Sequence, residues 1–141
     1  IEPDGTMSHI EGVSIPRSTM MHDFAITETD AVFWDLPVIF DLDLAVQFLT
    51  DPTVIPFRWA PEAGARLGVM PLAGGSDSIQ WFDVDPCYVF HPMNSYDRAD
   101  GTVVFDAVRH PRMFDTNRLG PGEGRPTLVR WVLDPVTGAA T

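Results

Sequence analysis

The chain has 141 residues, of which 45% are hydrophobic and 21% charged, a composition typical of one folded domain and not of a disordered chain. Its formal net charge of −11 excludes a nucleic-acid surface built on clustered Lys and Arg. A single cysteine, Cys87, excludes an internal disulfide framework and a cysteine-rich zinc site, and it fits a reducing compartment.

The first predicted element is a strand over Thr19–Thr27. Its residues alternate, so that Met20, His22, Phe24 and Ile26 share one face. The letters TETD predict a turn, and the apolar run AVFW predicts the returning strand. This pattern places an ionisable ring inside an otherwise apolar strand.

A helix is predicted next, over Asp41–Thr50. Its apolar residues recur at positions i, i+3, i+4 and i+7, and Asp51-Pro52 ends it. The apolar residues are Leu42, Ala45, Val46 and Leu49.

The remainder of the chain predicts hairpins. RLGVMPLA and SIQWFDVD are separated by a Gly-Gly-Ser-Asp turn, and CYVFHPMNSYD and TVVFDAVRH flank RADG, which ends in the turn pair Asp-Gly. Short strands at this spacing with little helix indicate an antiparallel all-β fold, either a sandwich or a propeller. The last strand, LVRWVLD, is followed by an Asp-Pro…Thr-Gly turn, after which we expect a partner strand that the sequence stops short of. Because the first residue is also Ile1 and not Met, we expect a segment of a longer protein.

Two of the four histidines, His22 and His91, lie in predicted apolar strands. A buried imidazole must satisfy both ring nitrogens or lose about 1–3 kcal/mol. In a metal site, the metal ion would bind one nitrogen and a hydrogen-bond acceptor would bind the other. In an ordinary core histidine, backbone groups would hydrogen-bond to the ring nitrogens. Spacing alone leaves both readings open, because no H-x-x-x-H pattern is present.

The other candidates for chemistry are weaker. His9 lies in a polar stretch and His110 at a strand end, so both read as surface or loop residues. Cys87 begins an apolar strand without a nearby cation, which predicts an inert buried thiol. The Gly-rich segment Gly120–Gly124 lacks the strand, helix and Lys of a phosphate-binding loop.

The letters around His22 and His91 resemble a known family. MMHDFAITETDAVFWDLPV resembles the M-H-D-F-A-I-T-E segment of the carotenoid cleavage oxygenases, which include stilbene-cleaving dioxygenases and the retinoid isomerase of the eye. YVFHPMNSYD resembles their F-H-x-x-N-A-[YW]-E segment, and RLGVMPLAGGSDSIQWFDVDP resembles the linker between the two. The sequences of these segments are most similar to those of the bacterial members of the family.

This resemblance implies a fold and a metal. The family is a seven-bladed β-propeller with one iron(II) on its axis, held by four histidines. The implied fold class is therefore all-β, a portion of a seven-bladed propeller with antiparallel blades and one short helix. Residues 1–141 would form central blades of a partial domain. His22 and His91 match the second and third iron ligands, and the other two lie outside this chain.

The resemblance also assigns secondary roles. Phe24 and Phe90 could line the substrate tunnel, although plain propeller core is an equal reading. Ser95 and Asp97 stand where the family usually has Ala and Glu, so any hydrogen bond that the carboxylate of Asp97 makes around the iron ligands would reach one methylene less far. Leu72 stands where an Arg is common.

The implied function is oxidative cleavage of a carbon–carbon double bond of a carotenoid or apocarotenoid by O2, giving two carbonyl products. The alternatives are a stilbene-cleaving dioxygenase and a non-catalytic propeller segment with a binding or structural role. We expect the isolated chain to bind iron weakly and to be inactive. We expect a cytoplasmic protein without a transmembrane segment, for which the helix over Asp41–Thr50 offers peripheral membrane contact.

Overall fold

The computed structural model describes residues 3–7, 10 and 12–141, which form ten strands and one α-helix among those residues. The strands are β1 (Ala25–Ile26), β2 (Asp30–Asp35), β3 (Val38–Phe40), β4 (Phe57–Trp59), β5 (Ala65–Pro71), β6 (Gln80–Val84), β7 (Pro92–Asp97), β8 (Val103–Arg109), β9 (Thr127–Asp134) and β10 (Ala139–Ala140). The helix, α1, spans Leu42–Phe48. The prediction of an all-β chain with one short helix is confirmed.

Two four-stranded antiparallel sheets carry the structure. The first has the order β1-β2-β5-β6 and the second the order β10-β9-β8-β7, so β1 and β7 are each the first strand of a sheet and lie at its edge. Strands β3 and β4 form a small separate pair. All neighbouring strands in each large sheet are antiparallel, and a four-stranded antiparallel sheet is the form of a propeller blade.

The predicted hairpins follow from their turn residues. Strands β5 and β6 pair across the Gly-Gly-Ser-Asp turn, with Leu67 opposite Phe82. Strands β7 and β8 pair across RADG, where Gly101 has a φ of 84° that suits glycine. The expectation that the sequence stops before a partner strand is wrong, because the two-residue strand β10 follows the final turn and pairs with the end of β9.

Helix α1 begins and ends close to the predicted positions. The carboxylate of Asp41 accepts a hydrogen bond of 3.1 Å from the backbone N–H of Leu44, which caps the first turn. The helix buries none of its residues, and Leu42 and Leu49 are 70% and 80% exposed. Its apolar side therefore faces outward in this chain.

The predicted strand over Thr19–Thr27 is mostly wrong. Only Ala25–Ile26 pairs as a strand, with β2, and Thr19 forms one isolated bridge to Ile39. Of residues 20–24, Met20 donates one backbone hydrogen bond of 2.7 Å to Val38, and the others have no ladder partner in the described chain, although β2 continues to Asp35. The alternation is retained nonetheless, since Phe24 and Ile26 are exposed on one side while Ala25 and Thr27 are buried on the other.

A shared core joins the two sheets. The Trp34 ring of β2 is 1% exposed and stacks on Phe105 of β8, with ring centroids 5.3 Å apart. Phe105 stacks in turn on Trp131 of β9 at 5.6 Å. This aromatic stack fixes one sheet against the other and so positions whatever lies on their first strands.

Candidate metal centre

His22 and His91 lie next to each other although 69 positions separate them in the sequence. Their ring centroids are 4.8 Å apart and the ring planes meet at 83°. His22 precedes β1 by a few residues, and His91 comes directly before β7. Each sheet thus delivers one histidine to the same place.

Both rings are exposed in this chain. The His91 side chain is 63% exposed, and His22 is also exposed. The reading of either residue as an ordinary core histidine is therefore wrong for this chain, because the segments that carry them lie at sheet edges. Two exposed imidazoles this close together can each donate a nitrogen lone pair to the same metal ion.

The ring of Phe90 packs against His22 of the histidine pair. Its ring is T-shaped against His22, with centroids 5.8 Å apart, and also against His110, at 5.4 Å. Tyr88 meets the same ring at 4.9 Å. The half-buried Phe90 therefore separates His110 from the His22–His91 pair while packing on the core cluster.

His110 has a structural position. Its backbone exchanges hydrogen bonds of 2.8 Å with Tyr88, which extends the second sheet beyond β8. Burial lowers the pKa of its imidazole, which favours the neutral form of the ring. It does not join the histidine pair, in agreement with its reading as a strand-end residue. His9, the fourth histidine, lies outside the described residues.

A carboxylate that the sequence did not single out contacts the pair. Asp23 Oδ2 lies 3.1 Å from His91 Nδ1, and Asp23 Oδ1 accepts a 2.9 Å hydrogen bond from the backbone N–H of Phe24. The hydrogen bond with His91 is the main reason that the pKa of Asp23 is lowered. The available signal was only its position beside His22, which does not reveal a contact with His91.

Asp23 and His91 belong to a longer row of polar contacts, which we call the inter-sheet seam. Each contact joins a residue near β1 to one near β7 that lies 68 or 69 positions later, so the two segments run parallel. The contacts are Tyr88 Oη to Met20 O (3.3 Å), Asp23 to His91 (3.1 Å), Ser95 Oγ to Ile26 O (3.0 Å) and Thr29 N to Asp97 Oδ2 (3.0 Å).

The remaining predicted site residues take the following places. Asp97 accepts hydrogen bonds from both the N–H and the hydroxyl of Thr29, each at 3.0 Å, and the structure shows it in contact with Thr29 instead of a histidine. Phe24 is 46% exposed and stacks on Phe33 at 5.9 Å. That Asp97 supports the iron ligands and that Phe24 lines the substrate tunnel stay predictions.

Cys87 is fully buried and unpaired. Burial raises the pKa of its thiol to about 11, so the thiolate needed for nucleophilic chemistry is scarce at neutral pH. The predicted burial of Cys87 is confirmed, whereas the expected absence of a nearby cation is wrong, because Arg109 lies close enough to hydrogen-bond the thiol. That the thiol is inert stays a prediction.

The donor set of the histidine pair fits a transition metal in part. Neutral imidazole is a ligand that suits iron, and the carboxylate of Asp23 on His91 Nδ1 leaves the Nε2 lone pair free. Within residues 3–7, 10 and 12–141, however, no three His, Cys, Asp or Glu side chains are grouped closely enough to hold a metal ion. The chain supplies a pair of ligands, and further ligands would have to come from elsewhere.

Known proteins share this arrangement of sheets. The structure is similar over 99% of its length to a lignostilbene dioxygenase of Pseudomonas brassicacearum, with a TM-score of 0.78, 26% identity and 30% of that chain covered. It is also similar to an apocarotenoid oxygenase of Synechocystis, with a TM-score of 0.68, 21% identity, 90% of this chain and 27% of the other covered. These matches confirm the prediction that the fold is a portion of a β-propeller.

The sequence comparisons define the family. All 141 residues match the family described as RPE65, retinal pigment epithelial membrane protein. The chain is 35% identical to a carotenoid cleavage oxygenase of Mycobacterium tuberculosis, with 100% of this chain and 36% of the relative covered. It is 37% identical to a carotenoid 9,10(9′,10′)-cleavage dioxygenase of Crocus sativus over 74% of this chain and 18% of the relative.

The fold and the paired histidines thus define a propeller segment that presents imidazoles at the edges of two neighbouring blades. The chain belongs to the carotenoid cleavage oxygenase family. It spans about a third of the length of the Mycobacterium tuberculosis relative that it matches in full.

Proposed function

We propose that the complete protein is an iron(II)-dependent dioxygenase that cleaves a carbon–carbon double bond of a carotenoid or apocarotenoid into two carbonyl products. His22 and His91 would supply two of its four iron ligands. The observation that carries this proposal is the convergence of the two rings, 4.8 Å apart, from separate sheets. The names of the family relatives, which are carotenoid cleavage enzymes, support the reaction class.

The residues of this chain would perform binding and positioning. Bound iron(II) would supply the activation of O2, which protein side chains do not provide. His22 and His91 lie on segments fixed by packed sheets, and ligands held by rigid elements keep their geometry. Residues 1–141 would then be central blades of a larger propeller domain.

An apolar surface beside His91 is suited to a long conjugated substrate. A groove next to the histidine is lined mainly by apolar side chains, and Met93 and Val108 in it are 58% and 43% exposed. The groove is lined by Phe90, His91, Pro92, Met93, Val108, His110 and Pro121. Such a surface would orient an apolar chain past the iron and keep water away from the reacting bond.

The test is metal binding by the complete protein. His22→Ala and His91→Ala should each lower the iron content well below one equivalent, whereas His110→Gln, a histidine outside the pair, should retain it. Iron can be measured by atomic emission on purified protein, with circular dichroism as a check on folding. Full iron occupancy in folded His91→Ala would refute the proposed site.

A stilbene substrate is the second candidate. The structural similarity to the Pseudomonas lignostilbene dioxygenase, which extends over 99% of this chain, favours it. Product analysis after incubation of the iron-loaded complete protein with an apocarotenoid and with a hydroxylated stilbene would decide between the two. Aldehyde products from the stilbene alone would replace the carotenoid assignment, and no product from either would favour a non-catalytic propeller.

The surface of α1 supports peripheral membrane contact in such a protein. In the described part of the chain, no helix is long and apolar enough to cross a bilayer. Helix α1 instead exposes an apolar side that includes Leu42, Val46 and Leu49, flanked by the acidic Asp43. Because Asp43 and the net charge of −11 disfavour anionic lipids, the protein should bind zwitterionic vesicles better than anionic ones.

A vesicle cosedimentation assay tests this contact. The double variant Leu42→Ser/Leu49→Ser should cosediment with zwitterionic vesicles less than the parent protein does.

A further inference from the structure

The segment between β8 and β9, residues 111–126, forms a loop that borders the groove beside His91. We call it the 111–126 loop. Pro121 lies near the tip of this loop and lines the groove together with His91 and His110. Whatever fixes the tip of the loop therefore also fixes one wall of the groove.

The carboxylate of Glu123 binds the first half of this loop. Its Oε2 accepts a 2.9 Å hydrogen bond from the backbone N–H of Asp115. Its Oε1 accepts hydrogen bonds from the backbone N–H groups of Thr116 and Asn117, and a 3.0 Å hydrogen bond from the Thr116 hydroxyl. Successive N–H groups that converge on one point form a concavity that binds anions. The anion here is a glutamate of the same loop.

A buried residue directly before the three N–H groups holds this concavity in place. Phe114 has a φ of 58°, in the left-handed region that residues other than glycine rarely adopt. It is 8% exposed and belongs to the core cluster, so its packing stabilises the unusual conformation. The concavity is therefore anchored to the core, and Glu123 anchors the rest of the loop to it.

The charge of Glu123 is favoured in this position. Partial burial acts to raise the pKa of Glu123, but the hydrogen bonds from Asn117, Asp115 and Thr116 together lower it. The carboxylate is therefore ionised at neutral pH, and hydrogen bonds to an ionised acceptor are the stronger kind.

Arg118 provides a second anchor for the loop. Its Nη2 donates a 3.0 Å hydrogen bond to the backbone carbonyl of Phe57 in β4. Only residues 119–122 separate this anchor from Glu123, and Pro121 is one of them. The chain is thus fixed on both sides of the residue that lines the groove.

We infer that Glu123 is a positioning residue that fixes the 111–126 loop and so places Pro121 in the wall of the groove beside His91. Glu123 acts through Pro121 and does not contact the substrate itself. The part of this inference that concerns the substrate rests on the proposed function. A released loop would leave the groove open on this side and would reduce its apolar contact with a bound substrate.

The first experiment tests the loop contact without substrate. In the complete protein, Glu123→Ala removes the carboxylate, and Glu123→Gln keeps one acceptor but removes the charge. Glu62→Ala is the control, because Glu62 is 71% exposed, lies outside the loop and carries the same charge. Amide hydrogen exchange of residues 115–117, measured by mass spectrometry, should be about 10–100-fold faster in Glu123→Ala, intermediate in Glu123→Gln and unchanged in Glu62→Ala. Unchanged exchange in both folded Glu123 variants would overturn the inference.

The second experiment measures steady-state cleavage of an apocarotenoid by the iron-loaded protein. Glu123→Ala should raise KM several-fold while kcat and the iron content stay near those of the parent, because the contacts of Glu123 lie in the loop and not at the histidine pair. Added formate should lower KM again and slow the exchange of residues 115–117, since a small carboxylate fits the vacated concavity. Sodium chloride at the same ionic strength should do so much less. General destabilisation of the protein would not show this rescue.

The two proposals fail in different ways. If the parent protein cleaves the apocarotenoid and Glu123→Ala matches its KM although the loop exchanges faster, the positioning role is overturned and the proposed function stands. If the parent protein cleaves no apocarotenoid, the proposed reaction fails and the role of Glu123 toward that substrate fails with it. Hydrogen exchange and its reversal by formate still decide in that case whether Glu123 fixes the loop.

Discussion

The hydroxyl of Ser95 donates a 3.0 Å hydrogen bond to the backbone carbonyl of Ile26, so a side chain of β7 is bonded to the main chain of β1. These strands belong to different sheets, and β1 is only two residues long. A short edge strand has few bonds of its own to hold it. Ser95 therefore contributes directly to the position of the His22 segment.

Replacing Ser95 tests that contribution. Ser95→Ala in the complete protein should lower the free energy of unfolding by about 1 kcal/mol, because one hydrogen bond is lost and the Ile26 carbonyl is left without it. Chemical denaturation measures the change. Ser18→Ala, at an exposed serine, should change stability by much less. Equal effects of the two substitutions would show that the seam contact contributes nothing.

Phe24 should matter more for substrate binding than for folding. It is 46% exposed, so Phe24→Ala removes less core contact than Phe82→Ala at a fully buried position, where about 3–5 kcal/mol is expected. If Phe24 lines the substrate path, steady-state kinetics should show a several-fold higher KM with kcat nearly unchanged. A loss of stability as large as that of Phe82→Ala, with KM unchanged, would assign Phe24 to the core.

The Asp106–Arg130 pair predicts an acid dependence of stability. Arg130 Nε and Nη2 donate to the two oxygens of buried Asp106 at 2.7 and 2.8 Å, and this pairing lowers the pKa of Asp106. A carboxyl with a depressed pKa in the folded state stabilises above its ordinary pKa of about 3.9 and loses that contribution as the pH falls toward the depressed value.

Asp106→Asn should therefore remove part of the pH dependence. We expect its unfolding free energy at pH 7 to fall by about 1–3 kcal/mol, and the difference from the parent protein to shrink as the pH falls below about 4. Asp115→Asn is the control, because the Arg112–Asp115 pair is exposed and such pairs contribute about 0–1 kcal/mol. A difference that stays constant from pH 7 to pH 3 would exclude the ionised pair as the cause.

Cys87 should be unreactive in the folded protein. Its side chain is 0% exposed and burial raises the pKa of its thiol to about 11, so both access and thiolate are lacking. A chromogenic disulfide reagent at pH 7.5 should label it only after denaturation. Rapid stoichiometric labelling of Cys87 in the folded state would show that this part of the core opens readily.

Much of the fold was predictable because turn residues and the spacing of apolar residues, both local features of the sequence, determine its hairpins and its helix. The turn residues of RADG and of the Gly-Gly-Ser-Asp segment identified the hairpins of β7–β8 and β5–β6, and the spacing of apolar residues located α1. The strand over Thr19–Thr27 was overpredicted. Alternation reports which face is buried, but a strand also needs a neighbouring strand to pair with, and residues 21–24 pair with none in the described chain.

The site was predictable only through the family resemblance. Alternation placed His22 on a face with Phe24, and nothing in the spacing connected it to His91. Asp23 was missed because its partner lies 68 positions away, and no local pattern reports such a contact. The roles of Ser95 and Asp97 as seam residues likewise required the packing of one sheet against the other.

The sequence offset of the seam, which is 68 or 69 residues at each contact, has an evolutionary consequence. Its contacts depend on the order of residues within two short segments, and not on the length of chain between them. Loops between the segments can therefore lengthen or shorten without disturbing the histidines. A single-residue insertion between Met20 and Thr29 would instead reverse the alternation of every residue after it, so insertions should be rare there and frequent in the loops.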